Sequence, residues 1–319
     1  IFHTSNVDLI LNNASFVGNE AIYYKSINNK EFDALGGAIA LASDSVGNLT
    51  ITNSIFDGNN STEQGGAIGQ GNGSTAKISL DNVLFNNNSA VSQGGAIVSD
   101  AELVVKNSTF TGNKTTGTKI GNPDPLYDDG GGGAIFLYDE GKATISSSAF
   151  ENNSSGTYGG AISTRIKASN DKSSLSITES NFVGNTAGVS GGAIASFVDA
   201  TVTDANFVNN SAGESGGAIF ANGNLTVNAK NSDIIMSGNS AADGGDIYMN
   251  TANKNLNMNI AEDKTITVAD GISGSGNYNF NVNADSADTG SLIVNSYIKN
   301  ATMNVQNGTL HLAQGSSLE

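Results

Sequence analysis

Residues 49–68 read Leu-Thr-Ile-Thr-Asn-Ser-Ile-Phe-Asp-Gly-Asn-Asn-Ser-Thr-Glu-Gln-Gly-Gly-Ala-Ile, and this stretch decides the fold. It contains a Phe-x-x-Asn motif at 56–59 and a Gly-Gly-Ala-Ile motif at 65–68. Upstream of the phenylalanine, Leu49 and Ile51 alternate with polar residues, which is the period of a strand with one buried face. The stretch therefore predicts short strands separated by turns.

Both motifs recur along the chain and alternate strictly. Phe-x-x-Asn occurs at 16–19, 56–59, 85–88, 110–113, 150–153, 182–185 and 207–210. Gly-Gly-Ala-Ile occurs at 36–39, 65–68, 94–97, 132–135, 159–162, 191–194 and 216–219. Met236 replaces the phenylalanine in an eighth copy, and a degenerate Gly-Gly-Asp-Ile occupies 244–247. Successive Gly-Gly motifs start 25 to 38 residues apart. Self-similarity with a repeat of this length is typical of a solenoid.

Short strands, bends and a repeating unit of this length predict the turns of a parallel β-helix. Three residues before each phenylalanine a polar residue, such as Asn53, shifts the phase of the alternation, which indicates a bend there. No stretch shows a sustained helical period, and Gly, Asn and Thr are poor helix formers. We therefore expect an all-β fold of about 12 stacked turns, with a rise of about 4.8 Å per turn.

Stacking of like turns explains why the motif residues are identical, because each side chain packs against copies of itself. We expect an internal aromatic ladder of Phe16, Phe56, Phe85, Phe110, Phe150, Phe182 and Phe207. We expect a second ladder from the motif isoleucines, beginning with Ile39, Ile68 and Ile97. The asparagines Asn59, Asn88 and Asn113 suit a bend through a left-handed backbone, and stacked asparagines can also bond along the axis. The glycine pairs, such as Gly65 with Gly66 and Gly94 with Gly95, permit a positive φ or close backbone approach.

Residues 248–319 keep alternating strand patterns but lose both motifs. We interpret them as further turns of the solenoid formed by 1–247, so that the two parts make one structural domain. The chain begins at Ile1 with no signal-peptide pattern, which indicates a fragment of a longer protein.

Composition excludes several functions. The net charge is −16, so no basic surface is available for nucleic acid. Cysteine is absent, which excludes disulfides, thiol catalysis and zinc–thiolate sites. Histidine occurs only at His3 and His311, at opposite ends of the predicted rod, which argues against a Ser–His–Asp triad. No apolar run is long enough to insert into a membrane as a helix.

The alternation of Gly-Gly-Ala-Ile with Phe-x-x-Asn over 1–247 resembles the polymorphic outer-membrane proteins of chlamydiae and related autotransporter adhesins. The resemblance implies a right-handed parallel β-helix, and right-handed crossovers are the general preference. It also implies a passenger secreted by the type V route, carried to the outer membrane by a C-terminal barrel, and a virulence role in attachment to host cells. Chlamydial members contain cysteine and this chain has none, so the organism stays open.

Two other functions stay open. One is a polysaccharide-active or glycan-binding β-helix. Such enzymes need clustered carboxylates, usually beside a cation, and the only arginine here is Arg165. The other is a structural spacer stalk. We predict no enzymatic activity and no cofactor, with Ca²⁺ as the one candidate ligand.

Two insertions interrupt the otherwise fixed spacing between Phe-x-x-Asn and Gly-Gly. Residues 20–35 contain Tyr23, Tyr24 and Phe32; residues 114–131 contain Asp124, Leu126, Tyr127, Asp128 and Asp129. By repeat counting the insertions leave the same corner three turns apart. We predict that they bind a host-cell surface protein or glycan, because loops on rigid scaffolds carry function. Asp124, Asp128 and Asp129 are the calcium candidates.

Overall fold

The computed structural model describes residues 1–25, 31–32, 34–117, 131–138, 141–165, 173–285 and 287–319. These residues form short strands joined by turns, and they include no helix. Apart from one hairpin, the described strands pair in parallel with the strands of the preceding and following turns. The predicted parallel β-helix is confirmed.

Sheet A is built on the Ile of each Gly-Gly-Ala-Ile motif. Within the described residues it contains 12 strands in chain order. They are Phe2–His3, Ile39–Leu41, Ile68–Gln70, Ile97–Ser99, Ile135–Leu137, Ile162–Thr164, Ile194–Ser196, Ile219–Ala221, Ile247–Met249, Ile272–Gly274, Tyr297–Ile298 and Ser317–Leu318.

Sheet B consists of two columns, which the long bent strands Leu49–Asp57 and Ile78–Asn86 join. The first column continues through Leu9–Asn12, Glu102–Lys106, Lys142–Ser146, Ser174–Thr178, Ala200–Thr203, Leu225–Ala229, Asn255–Ile260, Tyr278–Val282 and Ala301–Val305. The second continues through Ser15–Val17, Thr109–Thr111, Ala149–Glu151, Asn181–Val183, Asn206–Val208, Ile234–Ser237, Thr265–Val268, Ser291–Val294 and Thr309–Leu312.

Sheet C is short, with seven two-residue strands among the described residues. They are Glu20–Ala21, Asn60–Ser61, Ser89–Ala90, Lys114–Thr115, Ser154–Ser155, Thr186–Ala187 and Ser211–Ala212. Tyr24–Lys25 and Glu31–Phe32 form a separate antiparallel pair. Sheets A and B continue past Met249 by parallel pairing, and the division of the chain at residue 247 stays a prediction.

The bend between the two columns of sheet B lies where the polar residue interrupts the alternation. That residue has a left-handed backbone in seven turns, with φ between +48° and +55°. These residues are Asn13, Asn53, Asn82, Asn107, Ser147, Glu179 and Asp204. The predicted bend three residues before the phenylalanine is confirmed.

The bend after the phenylalanine differs from the sequence prediction by one position. The left-handed residue is the one before the motif asparagine, for example Gly58 before Asn59 and Asn87 before Asn88. The motif asparagine is excluded from this role because its side chain points inward and is fully buried, as at Asn59 and Asn88. The preceding residue therefore makes the turn.

The seven motif phenylalanines stack face to face along the axis. Neighbouring ring centroids lie 4.7 to 4.9 Å apart, and the planes differ by at most 9°. All but Phe16, at the first turn, are fully buried. The motif isoleucines pair in register along sheet A and line the same core, as Ile39, Ile68 and Ile97 do.

The motif asparagines form a second internal column, the asparagine ladder: Asn19, Asn59, Asn88, Asn113, Asn153, Asn185, Asn210 and Asn239. Asn88 shows the repeating pattern. Its Oδ1 accepts from the main-chain N and the Nδ2 of Asn59, at 3.0 and 2.9 Å. Its Nδ2 donates to the carbonyl of Phe56 and to Oδ1 of Asn113, at 3.0 and 2.9 Å. Each buried amide is thus satisfied by its neighbours, and all the amides point the same way along the axis.

The two glycines of each pair have separate roles, which Gly94 and Gly95 illustrate. Gly94 has φ of +59°, which a residue with a Cβ rarely adopts. A Cβ on Gly95 would meet the carbonyl oxygen of Gly133 in the next turn, and it would lie 2.6 Å from the carbonyl carbon of Lys114. The first glycine therefore makes the corner and the second lets successive turns approach.

The residue before each ladder asparagine follows a rule between turns. Where it is asparagine, the next turn has glycine, as in Asn87 with Gly112 and Asn152 with Gly184. A Cβ on Gly184 would lie 2.6 Å from Oδ1 of Asn152. The asparagine side chain leans over the next turn, so only glycine fits beneath it.

A double-mutant cycle tests this pairing. Gly184→Ala should lower the free energy of unfolding by about 2 kcal/mol, through the left-handed backbone and the clash with Asn152. In an Asn152→Gly background the same change should cost about 1 kcal/mol, because only the backbone term remains. Urea denaturation of the four chains gives the coupling, and additive losses would contradict the rule.

Candidate functional site

The outer surface of sheet A carries aromatic side chains that the core does not use. The residue after each motif isoleucine points outward, and it is small in most turns, as at Ala40 and Ser163. In three turns it is aromatic: Phe136, Phe220 and Tyr248. With Tyr138, Tyr158 and Phe197 these residues form what we call the aromatic face. Phe136 and Tyr138 pack with Val98 in an apolar cluster separate from the core.

Four rings of the aromatic face, from Tyr158 to Tyr248, form a continuous row over successive turns. Tyr158 meets Phe197 edge to face with centroids 5.4 Å apart, and Phe197 lies 5.6 Å from Phe220. Phe220 stacks on Tyr248 at 5.9 Å. Tyr158, Phe197 and Tyr248 are partly exposed, whereas Phe220 is buried among them. The row offers partly exposed rings held in place by buried ones.

Polar groups border the aromatic face at both ends. The guanidinium carbon of Arg165 lies 5.4 Å from the ring centroid of Tyr138, a cation–π distance, and the Tyr138 hydroxyl donates to Oε1 of Gln93. At the other end Asp243 accepts from the Ser273 hydroxyl at 2.6 Å. Burial, and then the charge of Asp243, raise the pKa of the Tyr248 hydroxyl above its usual value. Tyr248 therefore stays a neutral hydroxyl at physiological pH.

The first insertion leaves sheet C and returns to the edge of sheet A. The main-chain N of Tyr23 donates to Oγ1 of Thr62 at 2.7 Å, which ties the start of the insertion to the next turn. Tyr24 and Phe32 are register partners in the antiparallel hairpin. Leu35 then bridges to Gln64, which precedes the second Gly-Gly pair.

The second insertion begins three sheet C strands later, after Lys114–Thr115. The N–H of Gly117 still bonds to the carbonyl of Val91, and the chain returns at Gly131, which bridges to Gln93 and Tyr158. The predicted residues Asp124, Leu126, Tyr127, Asp128 and Asp129 lie outside the described residues. The described part of the chain contains no group of three or more His, Asp or Glu that could hold a metal ion.

The aromatic face was missed in the sequence because its residues lie outside both motifs. A usable signal exists: the position after Gly-Gly-Ala-Ile changes from small to aromatic in particular turns. Tyr158 precedes a Gly-Gly pair and is the bridge partner of Gly131. The structure thus places the return of the second insertion at the edge of the aromatic face.

The two histidines lie far apart. His3 lies in the first strand of sheet A and His311 in the last strand of the second sheet B column. No helix in the described ranges has the length and apolar character needed to cross a membrane.

Four segments match the Chlamydia polymorphic membrane protein repeat: 82–100, 107–138, 147–165 and 204–222. Each begins at a left-handed bend residue and runs through Phe-x-x-Asn to Gly-Gly-Ala-Ile. The resemblance seen in the sequence is therefore confirmed, and the repeat indicates an outer-membrane or surface protein of the polymorphic, autotransporter type. No curated protein and no solved structure matches the chain.

Proposed function

From the four copies of a repeat found in polymorphic surface proteins, we propose that this chain is the secreted passenger of an autotransporter and a non-enzymatic adhesin. In the full-length protein a C-terminal outer-membrane barrel would hold it at the bacterial surface. Its partner would be a protein or glycan of the host-cell surface.

The aromatic face carries this proposal. When a partner covers solvent-accessible aromatic rings, their burial contributes a large share of the binding free energy. Tyrosine is enriched among the residues that dominate this energy. Tyr158, Phe197 and Tyr248 are partly exposed and fixed in position by neighbouring rings. Rigid side chains lose little entropy on binding, which favours affinity.

The two insertions support the same surface. Both return to the chain at residues that precede a Gly-Gly pair, Leu35 and Gly131, and so border sheet A. The tyrosines that they carry would extend the contact area beyond the aromatic face. The negative charge of the chain, −16, favours partners that are neutral or basic.

Excision of the insertions tests their share in attachment. Removing 118–130, or separately 24–34, restores the six-residue spacing from Asn to Gly-Gly that five other turns have, so the solenoid should close normally. Beads coated with either variant should bind cultured host cells at least fivefold less than beads coated with the intact chain. A thermal unfolding midpoint within a few degrees of the parent is the control. Full attachment by both variants would remove the insertions from the proposal.

A further inference from the structure

The asparagine ladder ends at two carboxylates. Asn239 is its last amide, and its Nδ2 donates to Oδ1 of Asp246 at 2.8 Å instead of to another asparagine. The main-chain N of Asn239 donates to Oδ2 of Asp270, also at 2.8 Å. In the other turns, Oδ1 of the next asparagine accepts both of these hydrogen bonds. Here two aspartates accept one each.

Asp246 is the residue that makes the last motif Gly-Gly-Asp-Ile instead of Gly-Gly-Ala-Ile. The alanine at this position is buried in the other turns, as at Ala193 and Ala218, and Asp246 is equally buried, at 0 % exposed. Its second oxygen, Oδ2, accepts from the main-chain N of Asp270 at 2.8 Å. The degenerate motif is therefore a cap that satisfies the ladder's terminal donors.

The cap joins the ladder-bearing turns to the C-terminal turns. The N–H groups of Asp246 and Ile247 both bond to the carbonyl of Gly271, the second at 3.3 Å, which is long. The Tyr297 hydroxyl accepts from the N–H of Gly244 at 3.2 Å. These bonds lie within a few residues of the two aspartates, and the parallel pairing of sheet B also crosses the joint.

The charged and titratable groups around Asp246 are mostly acidic. Asp270 is its direct partner, and Asp243 and Tyr248 flank it on its own strand segment. From the C-terminal turns Tyr297 approaches, with the Lys299 ammonium 4.6 Å from its ring centroid. No described cation pairs with Asp246. Only hydrogen bonds therefore stabilise its negative charge.

Burial raises the pKa of Asp246 to about 7, with a smaller contribution from the negative charge of Asp270, and this outweighs the hydrogen bonds that favour the ionised form. An unfolded aspartate has a pKa of about 3.9. The folded state therefore binds the proton more tightly than the open state does.

We propose that the buried Asp246 carboxyl keeps a proton in the folded chain and makes the junction at residues 239–271 a pH-sensitive joint, more stable in acid and less stable at neutral pH. Opening the joint exposes Asp246 to water and releases the proton. The opening equilibrium should therefore rise about tenfold per pH unit between about pH 4 and pH 7, and should be level above pH 7, where both states are ionised.

Hydrogen–deuterium exchange on the full chain tests the proposal. After correction for the intrinsic pH dependence of exchange, the opening constants of the Asn239 and Asp270 amides should rise about 50-fold from pH 5 to pH 7. The Asn153 amide, in the middle of the ladder, should not follow. A wild-type profile that is level over this range would overturn the proposal.

Three variants separate the proton from the packing. Asp246→Asn cannot titrate, so its opening should be level with pH even where the joint is weaker overall. Asp270→Asn keeps an acceptor for Asn239 and removes the neighbouring charge, so the rise should end at a lower pH. Asp233→Asn, an exposed aspartate that accepts from the Thr265 N–H, should behave as wild type. The proposal fails if Asp246→Asn keeps the wild-type slope; if that variant does not fold, an unshifted profile in Asp270→Asn overturns it.

Discussion

Replacing Asn153 by alanine is expected to lower the free energy of unfolding by about 3–6 kcal/mol. The substitution removes four side-chain hydrogen bonds in the interior, each of 2.9 to 3.0 Å. It leaves the main-chain N–H of Asn113 without an acceptor, the Nδ2 of Asn113 with only the Phe85 carbonyl, and the carbonyl of Phe110 without its Asn153 donor. Each buried group that loses its partner costs about 1–3 kcal/mol.

Asn181→Ala, in the next turn, is the matched control. Asn181 is exposed, and its side chain accepts one bond of 3.2 Å from Nδ2 of Asn206. Its loss should change the free energy of unfolding by at most about 0.5 kcal/mol. Urea denaturation of both variants gives the comparison. Equal effects would mean that the ladder contributes no more than a surface asparagine does.

Phe110→Ala is the second large effect, with an expected loss of about 3–5 kcal/mol. Phe110 is fully buried, and its ring lies 4.7 Å from Phe85 and 4.8 Å from Phe150. Truncation removes the stacking contacts on both sides and leaves a cavity between two rings whose backbones are fixed by parallel pairing. Those rings cannot move into the space. The free-energy cost of the cavity should therefore lie near the upper end of the range for such truncations.

Thr111→Ala provides the control for the phenylalanine ladder, because the next residue of the strand points outward. It should shift the denaturation midpoint little. A loss below about 1 kcal/mol for Phe110→Ala would show that the stacked rings are not a principal source of stability.

The ladders could be predicted from the sequence because each turn of a repeat makes the same contacts with the next turn. Identical residues at a fixed place in each turn must meet their own copies, so the stacking of Phe85 on Phe110 follows from the spacing. The one-position error at the bend has a physical cause. Asparagine favours left-handed backbone and also satisfies buried donors, and its pattern in the sequence is the same for both roles. At Asn88 the buried hydrogen bonds decide the conformation, and Asn87 makes the turn.

The aromatic face and the ladder cap could not be derived from the motifs, because both are departures from them. Phe220 and Tyr248 follow a motif whose next residue is usually small, and only the pairing of sheet A shows that they share one outer surface. In the sequence alone, Asp246 marks only a degenerate copy of the motif. The hydrogen bonds of Asn239 show that it replaces the amide that the next turn lacks.

Attachment of the folded, isolated chain to host cells tests the central claim most directly. Flow cytometry with labelled protein should show saturable binding by the intact chain and by Ile235→Ser, which changes an exposed apolar residue (48 % exposed) of sheet B. The double variant Tyr158→Ser with Tyr248→Ser should fold and bind at least tenfold more weakly. Saturable binding that is equal in all three chains, or no binding by the intact chain, would contradict an adhesin that acts through the aromatic face.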